Sequence, residues 1–274
     1  MISGLFIFIE LTAILYGIIF FAQDYALFHP NSNPAAWSYI ASLPDFEAVE
    51  ISSGSKTWHG ILRRPESDGP SPLIIFFSGN GQNAAQVLSQ MEALGIWPYF
   101  NEYQFLLMDY PGYGQNGGQP SAKSMYREAL AVFDYASELP EVSRIIVGSY
   151  SIGTGPAVYL AANRDADGLF LLAPFDSGYD LFNSVLPVFY GPLRLFVRHK
   201  FPSGKYAELI DIPALVIAST TDEVVPFPSS LKLCAKLGEN STFVTLSRVD
   251  HNSILFNRTT LESVKGYLDG LGFD

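Results

Sequence analysis

Short, continuous apolar runs recur along the chain from residue 45 onward, and segments long enough to form helices lie between the later runs. Strands buried on both faces of a sheet need apolar residues at successive positions. The runs cover residues 46–51, 57–62, 73–77, 105–108, 145–147, 169–172, 215–217 and 242–246, and helical segments include 121–138, 152–162, 229–237 and 260–268. The first two runs are expected to pair antiparallel. The pattern predicts an α/β fold with a mainly parallel, eight-stranded sheet flanked by helices.

The stretch Ser-Tyr-Ser-Ile-Gly at residues 149–153 follows the run at 145–147 after a single glycine. It fits the pattern small-x-nucleophile-x-small, in which a sharp turn from strand to helix holds one side chain in a strained, exposed position. The residues two positions to either side must be small because the two backbones pass close together. Gly153 meets this requirement, and Ser149 is the next size above the usual glycine. Ser151 is therefore a candidate nucleophile, and a turn with a buried serine is the alternative.

A serine becomes reactive when a base lies beside it and an acid orients that base. Asp222 follows the apolar run at 215–217, and His251 follows the run at 242–246. In a parallel sheet, functional groups gather at the carboxyl ends of the strands. The sequence therefore predicts that Ser151, Asp222 and His251 meet at one edge of the sheet.

Other acids and bases in the sequence could fill these two roles. Asp250 is adjacent in sequence to His251, which usually prevents the two side chains from facing each other, and Glu223 is a further alternative. Asp222 is preferred over both. The remaining histidines compete poorly: His29 lies beside the N-terminal apolar segment, His59 lies in an early strand, and His199 lies in an Arg-His-Lys stretch expected to be exposed.

Acyl transfer also needs hydrogen-bond donors for the oxyanion that forms on the substrate. The segment Ser-Gly-Asn-Gly-Gln-Asn at residues 78–83 leaves the first central strand and enters a helix. We expect the backbone amides of Asn80 and of Ile152, directly after the nucleophile, to supply these donors. An ordinary glycine turn is the alternative.

Composition excludes several other classes of protein. Sixteen Lys and Arg against twenty-seven Asp and Glu give a net charge of -11, so a surface that binds nucleic acid is not expected. One cysteine, Cys234, and four scattered histidines provide no cluster at metal-ligand spacing. The sequence predicts neither a metal nor another cofactor.

Residues 2–22 are apolar apart from a few positions, Glu10 among them, and their length matches the roughly 20 residues that cross a bilayer. A cleaved signal peptide would carry a basic region, and no Lys or Arg precedes Lys56. A buried core helix is a further alternative, although this segment is apolar on every face. The prediction is an uncleaved, single-pass membrane anchor.

The predicted division of the chain is an anchor over residues 1–24, a connecting segment over 25–44 and a catalytic domain over 45–274. Basic residues next to a membrane span tend to stay in the cytoplasm. Because none lies between Ala22 and Lys56, the catalytic domain is predicted on the non-cytoplasmic side.

From about residue 45 to its end, the chain resembles the α/β-hydrolase superfamily of serine hydrolases. More narrowly, it looks like the membrane-anchored branch that includes lysophospholipase, monoacylglycerol-lipase-like and protein-depalmitoylase members. The motifs are Phe-His-Pro-Asn at 28–31, Gly-Asn-Gly-Gln-Asn at 79–83, Asp-Tyr-Pro-Gly-Tyr-Gly at 109–114, Gly-Gln-Pro-Ser at 118–121, Ser-Ile-Gly-Thr-Gly at 151–155, Asp-Glu-Val-Val-Pro at 222–226 and Asp-His-Asn at 250–252. Two positions depart from the family: Ser149 replaces a glycine, and Ser78 stands where relatives commonly have histidine.

The segment at 175–212, here called the cap segment, is longer than a typical connection between strands. It carries the apolar residues Tyr179, Leu181, Phe182, Val185, Leu186, Val188, Phe189, Tyr190, Leu195 and Phe196. We expect it to cover the serine, either as a pocket for an acyl chain or as a satellite core under a long loop. With the anchor, it favours substrates with an apolar tail, lipid esters included.

The resulting functional hypothesis is a serine hydrolase that cleaves carboxylic ester or thioester bonds through an acyl-enzyme on Ser151. The alternative is a binding or scaffold protein that kept the fold and lost catalysis. A non-hydrolytic enzyme on this fold would need Asp or Cys in place of Ser151.

Overall fold

The computed structural model describes residues 2–54, 56–66, 69–185, 187 and 189–272, with the backbone alone at 2–9, 11–13, 15, 19 and 185. These residues form one eight-stranded sheet with helices on both faces. The strands are β1 (Phe46–Ser53), β2 (Lys56–Arg63), β3 (Ser71–Phe77), β4 (Gln104–Met108), β5 (Val142–Tyr150), β6 (Gly168–Leu172), β7 (Ala214–Ser219) and β8 (Ser241–Leu246). The helices are α1 (Ile2–Leu27), α2 (Pro34–Ile40), α3 (Ala84–Ala93), α4 (Ala122–Ser137), α5 (Thr154–Ala161), α6 (Gly178–Val185), α7 (Ser203–Ala207), α8 (Phe227–Leu237) and α9 (Arg258–Gly270).

The strand order is β1-β2-β4-β3-β5-β6-β7-β8. From β4 to β8 the neighbouring strands are parallel, while β2 runs antiparallel to both β4 and β1. The predicted mainly parallel sheet is confirmed, including the antiparallel first pair. The carboxyl ends of β3, β5, β7 and β8 therefore lie at the same edge.

Side chains of the central strands fill two separate cores. On β3, Leu73, Ile75 and Phe77 belong to one apolar cluster, whereas Ile74 and Phe76 belong to the other. The first cluster is covered by α4, α5 and α8, and the second by α3 and α9. Because successive side chains of a strand point to opposite faces, a strand covered on both sides must be apolar throughout.

The N-terminal segment requires a correction. In the part of the chain that the structure describes, no helix combines the length and apolar character needed to cross a bilayer. The predicted single-pass anchor over residues 1–24, with its predicted orientation, is wrong on this finding. Helix α1 runs on to Leu27, and its last turns bind the cap segment. The Gln23 side chain is buried and donates to the Phe196 carbonyl at 2.7 Å, and Asp24 contacts His199 Nε2 at 2.6 Å.

The cap segment contains α6, a 3-10 turn at Gly191–Phe196 and α7. Phe182, Phe189 and Val197 form a small apolar cluster of their own, against which Leu27 of α1 packs. These residues match the satellite-core alternative. Two predicted members of the apolar set, Leu186 and Val188, lie outside the described residues.

Candidate active site

Ser151 lies in the turn between β5 and α5, and its backbone has a φ of 54°. A positive φ is uncommon for a residue with a side chain, and it costs energy unless the surroundings enforce it. The Ser151 carbonyl accepts a hydrogen bond from Thr154 Oγ1 at 2.7 Å, which fixes the start of the helix. The backbone therefore has the strained strand-to-helix geometry that the sequence pattern indicates.

Three side chains from three loops form a continuous hydrogen-bonded series at this edge of the sheet. Ser151 Oγ lies 3.0 Å from His251 Nε2, and His251 Nδ1 lies 2.8 Å from Asp222 Oδ2. The side chains of His251 and Asp222 are only 6% and 2% exposed, so water competes little with this pair. With the proton on Nδ1, held by the carboxylate, Nε2 can accept the serine proton.

Further contacts fix the orientation of the acid and the base. The other carboxylate oxygen of Asp222, Oδ1, accepts hydrogen bonds from the amides of Val224 and Val225 at 2.9 and 2.8 Å. The Tyr150 hydroxyl donates to the His251 carbonyl at 2.8 Å, and the two rings stack at 5.1 Å. Burial raises the pKa of Tyr150, so this hydroxyl stays protonated as a donor.

The competing acids lie in different surroundings. Asp250 accepts from the amide and the hydroxyl of Ser253 at 3.0 and 2.8 Å, within its own turn. The hydroxyl bond lowers the pKa of Asp250. Glu223 is exposed. Neither acid is paired with His251.

Within the described residues, none of the other three histidines bonds to Ser151, and two of them differ from expectation. His199 is buried, not solvent-exposed as predicted, because it bonds to Asp24 beneath α1. His59 lies 3.4 Å from Glu50 on the neighbouring strand. His29 contacts Asn80, and the sequence reasoning that set it aside missed this contact.

Residues 78–83, here called the Asn80 loop, leave β3 and lead into α3, next to the strand that carries Ser151. Gly79 N donates to Gln82 Oε1 at 2.8 Å, and the Ser78 carbonyl accepts from the Tyr110 hydroxyl at 2.8 Å. Within the described residues, the Asn80 amide has no hydrogen-bond acceptor. This leaves it free to donate to a ligand. The contact from Tyr110 fixes the loop at Ser78.

The turn after β4 is hydrogen-bonded to the start of α3, directly after the Asn80 loop. Asp109 is buried, and its two carboxylate oxygens accept from the amides of Ala84 and Gln115 at 2.7 and 2.9 Å. Burial raises the pKa of Asp109, while these two hydrogen bonds oppose the shift. Oδ1 thus joins the turn to the start of α3, and Oδ2 closes the turn itself.

Gly153 offers a test of how tightly the elbow is packed. A Cβ placed there would lie 2.2 Å from the Phe77 carbonyl oxygen, whereas one at Gly266 in α9 would meet nothing within 4 Å. We expect Gly153→Ala to lower the unfolding free energy by about 1 to 3 kcal/mol and to reduce ester turnover at least about tenfold. Gly266→Ala, the matched control, should be neutral or stabilising by up to about 1 kcal/mol. Thermal unfolding and turnover of both variants check this, and an unchanged Gly153→Ala protein would contradict it.

Ser149, which replaces the usual glycine, is accommodated without polar contacts. It is fully buried, and its hydroxyl has no hydrogen-bond partner among the residues that the structure describes. The serine side chain therefore fits beside the elbow, but it adds no interaction to the site.

Comparison with known proteins gives relatives over most of the chain. No family model matches. The chain is 30% identical over 254 residues to the uncharacterized protein MT2364 of Mycobacterium tuberculosis, covering 90% of this chain and 87% of that protein. It is 26% identical over 242 residues to alpha/beta hydrolase domain-containing protein 17C of Xenopus laevis, covering 86% and 74%.

A solved structure agrees in fold. The esterase Pf2001 of Pyrococcus furiosus matches with a TM-score of 0.68 at 16% identity, over 89% of this chain and 98% of that one. At this identity the likeness speaks for the arrangement of strands and helices alone.

Proposed function

The chain belongs to the α/β-hydrolase superfamily, and we propose that it is a serine hydrolase that cleaves carboxylic ester or thioester bonds. The observation that carries the proposal is the hydrogen-bonded series Ser151, His251 and Asp222 at the strained turn after β5. The three side chains come from separate loops, and each has the contacts that its role requires.

In the proposed mechanism, His251 Nε2 takes the Ser151 proton while Oγ attacks the acyl carbon of the substrate. The carbonyl oxygen becomes an oxyanion and receives hydrogen bonds from the amides of Asn80 and Ile152. The tetrahedral intermediate collapses, and the leaving alcohol or thiol takes the proton from His251. Water then attacks the acyl-enzyme by the same steps and releases the acid.

The acyl group is proposed to be apolar. The cap segment, which follows β6, supports this proposal because it carries an exposed apolar surface. Leu193, Leu195 and the nearby Tyr190 are among the exposed side chains. Their contribution would be to bind the acyl chain, and the reaction itself does not depend on them.

Turnover of a series of p-nitrophenyl esters from acetate to octanoate tests the proposal. We expect a burst of nitrophenol equal to the amount of enzyme, followed by a steady rate, because the acyl-enzyme accumulates. The octanoate should have a lower KM than the acetate. A folded protein that hydrolyses none of the series would favour the scaffold alternative. A KM that does not change with chain length would contradict only the proposal of an apolar acyl group.

A further inference from the structure

The Phe-His-Pro-Asn segment at 28–31 lies directly against the Asn80 loop. The His29 amide donates to Asn80 Oδ1 at 2.9 Å, and the His29 ring nitrogen Nδ1 lies 2.9 Å from Asn80 Nδ2. Asn31 Nδ2 donates to the Gly81 carbonyl at 3.0 Å. This segment thus binds two successive residues of the loop.

These contacts fix the orientation of the Asn80 side-chain amide and the tautomer of His29. Asn80 Oδ1 faces two donors, the His29 amide and the Tyr113 hydroxyl at 2.8 Å, so this atom must be the oxygen. The Asn80 Nδ2 group is therefore a donor, and the His29 Nδ1 that it faces must be an acceptor. His29 holds Asn80 as a neutral imidazole with its proton on Nε2.

The Tyr113 hydroxyl completes the arrangement from the turn after β4. It accepts from the His29 amide at 3.0 Å and donates to Asn80. Burial raises the pKa of Tyr113 to about 12, so the hydroxyl keeps the proton that it donates. The Gly114 amide donates to the Asn31 carbonyl at 2.8 Å and joins the turn to the same segment.

The three bonds that reach Asn80 all use its side chain, while its backbone amide is left without an acceptor in the described protein. We propose that His29 is a positioning residue: by holding the Asn80 side chain, it directs the Asn80 backbone amide toward the oxyanion. The proposal rests on the proposed function, and it adds a residue from outside the 45–274 domain to the site. The bonds to His29 and Tyr113 prevent rotation of Asn80, whose backbone amide must donate to the oxyanion when the serine attacks.

The test compares His29→Ala with His29→Asn. Asparagine carries Oδ1 on the same atom that bears Nδ1 in histidine, so it can still accept from Asn80. We expect His29→Ala to lower kcat about 10- to 100-fold with KM for p-nitrophenyl butyrate nearly unchanged, because the backbone amide of Asn80 that His29 positions donates to the oxyanion only in the transition state. His29→Asn should remain within about threefold of the wild-type kcat. Tyr113→Phe, which removes one donor to Asn80, should fall between them.

A second readout reports on the oxyanion directly. The inhibitor is an alkyl trifluoromethyl ketone. Ser151 Oγ adds to its carbonyl carbon, the serine proton moves to His251, and the carbonyl oxygen becomes an oxyanion. Inhibition by this ketone should weaken in His29→Ala by the same factor as kcat/KM. His59→Ala, a matched histidine variant, should keep wild-type constants because its ring faces Glu50.

Two results would overturn the inference while leaving the proposed function intact. One is an active His29→Ala enzyme with wild-type kcat and ketone inhibition. The other is an equal loss in His29→Asn or in His59→Ala, which would assign the effect to general disturbance. Absence of turnover in the wild-type protein would instead overturn the proposed function, and this inference with it.

Discussion

Ser151→Ala should reduce p-nitrophenyl ester turnover to near the uncatalysed rate, a loss of roughly 10⁴- to 10⁶-fold. The variant keeps the fold but removes the oxygen that lies 3.0 Å from His251 Nε2. His251→Ala should lose a similar factor, because without the base the serine keeps its proton. Steady-state assays on the folded variants measure both.

Ser149→Ala provides the matched control, because it removes a hydroxyl from the same stretch of chain. That hydroxyl is buried and has no partner among the described residues, so its loss should leave turnover within a few-fold of wild type. A Ser151→Ala protein with wild-type turnover would rule out the acyl-enzyme, and an equal loss in Ser149→Ala would point to disturbance of the turn.

Asp222→Asn should lower kcat by about 10³-fold or more. Because Oδ1 is fixed by the amides of Val224 and Val225, the asparagine oxygen would take that place and turn its NH₂ group toward His251. Nδ1 would then have to accept, the proton would move to Nε2, and Nε2 could no longer take the serine proton. The variant would thus hold His251 in the wrong tautomer, while the packing of the site is preserved.

Asp250→Asn is the control for this substitution. Asparagine can still accept from the Ser253 amide, so the turn should persist and turnover should remain within about fivefold of wild type. Harmless Asp222→Asn together with severe Asp250→Asn would reverse the choice of acid. The pH-rate profiles of both variants, measured on the same ester, provide a second comparison.

The sequence predicted those parts of the molecule that depend on local pattern. Buried strands such as β3 require apolar residues at successive positions, and this pattern is visible without knowing their neighbours. The residues after β5, β7 and β8 could be grouped because the ends of parallel strands share an edge. Ser151, Asp222 and His251 were named on that basis, and their side chains lie within hydrogen-bonding distance.

Contacts between distant segments could not be predicted in the same way. The position of His29 beside the N-terminal apolar segment does not indicate a role in the site, yet its ring contacts Asn80, which lies 51 positions further along the chain. The one available signal was the Phe-His-Pro-Asn motif. Hydropathy predicts an anchor that extends to residue 24, because it does not reveal that Gln23 and Asp24 bind the cap segment.

Labelling with a fluorophosphonate shows directly whether Ser151 is a nucleophile, because the probe reacts with a serine only when its base and oxyanion donors are in place. We expect one adduct per chain by intact mass, located on Ser151 by peptide mapping, with Ser149 unmodified and labelling greatly slowed in His251→Ala. A folded protein that stays unmodified, or one whose adduct lies on another residue, would contradict a nucleophilic Ser151.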